Sequence, residues 1–132
     1  MRFLVVVLAM LALQSTRAHA QAYEFLGDWQ QLTSNAGACA RCQLSFSGGS
    51  SELSVTANNG WSASVGALET ATGPIASGRG RWGAGGGTFA AKPFTVEFTL
   101  RGERLYMTMV IEFALGRTRT VRGVFGRPWL GA

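Results

Sequence analysis

The chain has 132 residues, 47% of them hydrophobic, with 12 lysines and arginines against 7 acids, which allows one domain with a modest core and a mildly basic surface. Its only histidine, His19, lies near the start; once the first 20 residues are removed, Ser-His-Asp hydrolysis, Cys-His nucleophile pairs and histidine-ligated zinc are all excluded. The mild arginine excess, without basic clusters, does not suit nucleic acid.

Arg2, the apolar run from Phe3 to Leu13, and Ala18, His19 and Ala20 have the order of a secretory signal peptide. The run is too short and wrongly flanked for a membrane span. Residues 1–20 are therefore expected to be removed, leaving one domain at 21–132 with no transmembrane segment and a periplasmic or secreted address. Arg2 and Arg17 leave with the peptide, so the net charge falls from +5 to +3.

Tyr23 to Leu32 reads as a first strand, with Phe25, Gly27, Trp29 and Gln31 on one side, followed by loop chemistry from Thr33 to Ala38. Cys39 and Cys42 are the only cysteines. Three residues apart on a strand they would face opposite ways, so this segment must turn, and an oxidising compartment favours a disulfide between them. The strand–helix context of a redox motif is missing, Gln43 stands where haem attachment needs histidine, and zinc lacks two ligands. No metal or cofactor is expected. Leu44 and Phe46, then Leu53 and Val55, alternate on either side of Gly48, Gly49 and Ser50, giving a hairpin with apolar residues opposed.

Asn58, Asn59 and Gly60 signal another turn before a strand from Trp61 to Leu68, and Gly73-Pro74 interrupts the stretch from Glu69 to Ser77. Residues 78–87 hold six glycines around Arg79, Arg81 and Trp82. They can form a strand carrying Trp82 or a flexible connector, and the composition favours the connector.

Pro93 to Phe113 dictates its structure almost unaided. Phe94, Val96, Phe98 and Leu100 alternate with polar residues, as do Leu105, Met107, Met109 and Ile111 after the turn. With Gly102-Glu103 as a two-residue II′ turn, Leu100 opposes Leu105, Phe98 opposes Met107, Val96 opposes Met109 and Phe94 opposes Ile111. Leu115-Gly116 then turns the chain into a last strand from Arg117 to Phe125. In the expected register Val110 faces Val121, and Arg122 lies opposite Met109, pointing inward.

The tally is seven or eight short antiparallel strands without a helical period. An all-β, up-and-down barrel, which hides its edges, is the expected fold, with a β-sandwich as the alternative. Gly27, Asp28 and Trp29 form a G-x-W triplet in the first strand, and an arginine is expected to point inward from the last. This resembles the calycin pattern of lipocalins, avidins and bacterial periplasmic metalloprotease inhibitors. The resemblance implies that Trp29 and Arg122 stack as a plug closing one barrel end. A lipocalin-like member would carry a small apolar molecule in a lumen lined by Phe94, Val96, Phe98, Met107 and Met109. An avidin-like one would place Trp61, Trp82 or Trp129 around a polar ligand and self-associate; an inhibitor would insert residues 21–23 into a protease cleft. Glu97, Glu103 and Glu112 are expected on the outer face or in a turn, unsuited to paired acid–base chemistry, so no enzyme is expected. The expected function is that of an exported, non-catalytic carrier of a small apolar ligand, with a protease inhibitor or other interaction module as the alternative.

Overall fold

Strict alternation of apolar and polar residues gives a strand one dry face and one wet face, and that rule accounts for most of this chain. The structure, a computed structural model, describes residues 22–130. The expected signal peptide and Gln21 lie outside the described residues. Eight strands follow in order: β1 (Gly27–Ser34), β2 (Gln43–Gly48), β3 (Glu52–Ala57), β4 (Trp61–Thr70), β5 (Gly73–Trp82), β6 (Pro93–Arg101), β7 (Arg104–Glu112) and β8 (Thr118–Gly126). Each pairs antiparallel with the next, and β8 returns to β1, so the sheet closes into an up-and-down barrel. The barrel expectation holds, and the β1–β8 pairing removes the sandwich alternative.

The inward positions carry the core, including Trp29, Phe46, Leu53, Val55, Val65, Phe94, Phe98, Leu105 and Ile111. Outward positions carry Ser45, Ser54, Thr56, Ser62, Ser64, Arg79, Thr95 and Glu97, all exposed. A transmembrane barrel has the reverse pattern, apolar outside and polar within. No helix among the described residues is long and apolar enough to cross a membrane.

The β6–β7 hairpin has the expected pairs, Leu100 with Leu105, Phe98 with Met107, Val96 with Met109 and Phe94 with Ile111. Gly102 takes φ 58°, the left-handed value the turn needs at that position. In the β2–β3 hairpin Phe46 lies opposite Val55 as expected of apolar partners, while Leu44 falls opposite Ala57 and Leu53 opposite Gly48.

Three expectations are corrected. The first strand begins at Gly27 rather than Tyr23, because residues 22–25 form a helical turn whose i, i+3 face sends both Ala22 and Phe25 into the core. Residues 78–82 are a strand rather than a connector, paired with both β4 and β6. The glycines there answer to crowding. A Cβ on Gly78 would overlap the Ser64 carbonyl, and one on Gly80 would meet the Ser62 carbonyl and, at 2.5 Å, Phe94 Cζ. Finally, β8 is displaced by one residue from the expected register, with Met109 opposite Val121 and Thr108 opposite Arg122. The connection is a 3₁₀ turn, Ala114–Gly116, with Leu115 at φ 62° and Gly116 at φ 70°. A one-residue slip exchanges the two faces. Val121 and Phe125 therefore point inward, and Arg122 lies exposed on the outer wall.

Candidate functional site

The two barrel ends are built differently. At one end the connections are short, spanning 49–51, 71–72 and 102–103, and the 22–25 turn caps the opening. Phe25 is fully buried and stacks on Phe46 at 5.9 Å, and Phe46 meets Phe98 edge-on at 4.9 Å. The buried Trp29 indole donates to the Phe25 carbonyl at 2.9 Å, tying the cap to β1.

The arginine on Trp29 is Arg127, just past β8, with its guanidinium 3.7 Å from the ring centre. It also donates to the carbonyls of Asp28 at 3.1 Å and Glu24 at 3.0 Å, and Trp129 covers it from outside at 5.4 Å. Burial lowers its pKa from arginine's ordinary value, against the opposing pull of Asp28. This end is sealed.

The opposite end carries the long connections, 35–42, 83–92 and 113–117, with the 58–60 turn between them. There the interior is not filled. A partly enclosed cavity of about 310 Å³ opens between Leu44, Trp61, Trp82, Met107, Met109 and Phe125, with Val121 and Phe89 also on its wall. No charged side chain lines it. Among the described residues no polar or charged side chain is buried as a whole, and no cluster of His, Cys, Asp and Glu could hold a metal ion.

The walls are fixed by aromatic packing and the rim by hydrogen bonds. Trp61 meets Phe94 edge-on at 5.4 Å, and Trp82 lies 6.4 Å from Trp61 and 5.2 Å from Phe89. Phe89 comes from a 3₁₀ turn, Gly87–Phe89, and Arg119 covers its ring at 5.1 Å. On the other side Asn35 pins the 35–42 loop to β8, donating to the Thr120 carbonyl at 3.1 Å and accepting from the Arg122 N–H at 2.7 Å. Within that loop Cys39 and Cys42 form a disulfide, with Cα atoms 5.3 Å apart, and both residues line the cavity.

Of the residues picked from sequence, Trp61, Trp82, Met107 and Met109 come together on the cavity wall. Phe94, Val96 and Phe98 do not; they are almost wholly buried in the packed part of the core. Arg122 is on the outer wall and is not part of the plug with Trp29. Tyr23 is exposed on the capping turn, between the buried Ala22 and Phe25. Leu44, Val121, Phe125 and the loop residues were not foreseen on the wall; the correct β8 register would have supplied Val121 and Phe125. Comparison with known protein families, curated proteins and solved structures finds no match.

Proposed function

We propose that this chain is exported and, as a calycin-like barrel, binds a small, mainly apolar molecule in the cavity at its loop end. The observation that carries the reading is the cavity itself: about 310 Å³, walled by two tryptophans and two methionines, above a fully packed core. That volume is at the lower end of the range for small-molecule sites, so the ligand is compact. The calycin likeness is supported by the eight-strand meander and by the Trp29–Arg127 stack at the sealed end. A carrier is favoured over a protease-inhibiting plug because the capping residues Ala22 and Phe25 are committed to closing the barrel.

Calorimetric titration of the 21–132 domain with neutral ligands of graded size tests this. Affinity is expected to rise from benzene to naphthalene and to be lost for a steroid-sized molecule. No binding by either small aromatic, or equal binding by the steroid, counts against a defined cavity.

A further inference from the structure

The Trp82 side chain lines the cavity, is 7% exposed, and carries an indole N–H that is buried without a hydrogen-bond partner among the described residues. It is the only such buried side-chain nitrogen or oxygen among them. Buried donors are nearly always paired, because an unmet one forfeits the hydrogen bonds it had to water; the nitrogen is covered as it stands, so a ligand fills this gap by drawing the indole N–H round toward the cavity. Of the other polar side chains on the wall, the Gln31 amide donates to the Gly37 carbonyl at 3.3 Å, Ser34 Oγ accepts the Ala36 N–H at 3.0 Å, and Asn59 lies exposed to water at the rim.

Charge supplies a second restriction. With no charged residue on the wall, an ionised ligand would lose its hydration without gaining a counter-ion. Resting on the cavity reading above, we propose that the ligand is a neutral, compact molecule whose apolar body fills the space between Trp61, Met107 and Met109 and whose single hydrogen-bond acceptor, such as a carbonyl oxygen, accepts from Trp82 Nε1. The tryptophan then does two things at once, supplying apolar wall and reading one polar atom.

Three probes of nearly equal size separate these terms: acetophenone has the acceptor, ethylbenzene lacks it, and benzoate carries a charge. The readout is the proton–nitrogen correlation spectrum of the 21–132 domain, in which the four tryptophans give separate indole signals. Trp82→Phe identifies the Trp82 signal by its loss; if that variant does not fold, through-bond assignment in the unaltered domain serves instead. Acetophenone is expected to move the Trp82 indole proton downfield and to bind about tenfold more tightly than ethylbenzene, with benzoate weakest. In Trp82→Phe the two neutral probes should bind alike. If both neutral probes shift the backbone amides around the mouth but bind equally and leave the indole proton in place, the acceptor assignment is overturned and the cavity reading stands. Benzoate binding as tightly as acetophenone overturns the restriction to neutral ligands. If no probe moves any mouth amide, the cavity reading fails and takes this proposal with it.

Discussion

Arg127 lies with its guanidinium 3.7 Å from the centre of the Trp29 ring, while both of its terminal nitrogens donate to carbonyls at the start of the domain. One side chain thus joins the end of the barrel to its cap. Truncating either partner removes more than one contact, and the losses should overlap. Trp29→Ala is expected to cost about 3–5 kcal/mol as a large buried side chain, and Arg127→Ala about 1–3 kcal/mol. In urea unfolding the double variant should lose at least ~1 kcal/mol less than the two single losses combined. Arg122→Ala, on the outer wall, should change stability by no more than about 0.5 kcal/mol. Additivity between positions 29 and 127 would show that the stack contributes nothing.

Two strand glycines give a matched comparison. Gly80 faces the Ser62 carbonyl and Phe94, so Gly80→Ala should destabilise the domain by about 2 kcal/mol or more through overpacking. Gly66 has open space where a Cβ would go and no left-handed φ. Gly66→Ala should therefore be neutral or stabilising by up to ~1 kcal/mol, since alanine restricts the unfolded chain. Thermal denaturation of the two variants side by side decides it. Equal losses would mean that Gly80 is kept for chain flexibility rather than for space.

The disulfide closes a very short loop, so the chain-entropy contribution is about 2 kcal/mol. Cys39→Ser with Cys42→Ser should lower the denaturation midpoint while the circular dichroism of the sheet is unchanged. Because both cysteines line the cavity, probe affinity should fall as well. Loss of the sheet signal on reduction would contradict the view that this bridge shapes the rim and does not hold the barrel.

How far the sequence can be read depends on the kind of constraint at each place. The β6–β7 hairpin was legible pair by pair because two alternating runs joined by a two-residue turn admit one register that keeps every large apolar side chain inside. The next connection was not. Leu115 and Gly116 both adopt left-handed backbone, lengthening the turn and shifting β8 by one residue, and a leucine gives no warning of that conformation. The slip moved the inward arginine from position 122 to 127, which lies beyond the last ladder pair and so outside any alternation argument. Gly78 and Gly80 misled for the opposite reason: glycine usually signals freedom, and here it marks a close approach of strands. The site was half legible. Met107 and Met109 follow from the periodicity of their strand, whereas Trp61 and Trp82 are placed at a ligand only by the avidin likeness. Phe89 and the 35–42 loop reach the mouth through irregular backbone that carries no period.

The wall of the cavity can be altered without touching the packed core. Val121 points into the cavity from β8, so Val121→Phe would place a ring in the open space. Its stability should change by less than ~1 kcal/mol, because the added volume has somewhere to go; a core site without room would lose about 1–3 kcal/mol.

That variant makes the central claim directly measurable. The domain and its Val121→Phe form, each purified after export from the cell, would be compared by native mass spectrometry, followed by denaturing extraction. A small, neutral molecule bound one-to-one in the unaltered domain and absent from the variant is the predicted result. An unaltered domain that travels empty and takes up no neutral aromatic probe, or a bound molecule retained equally by both forms, would contradict a binding site at the mouth of the barrel.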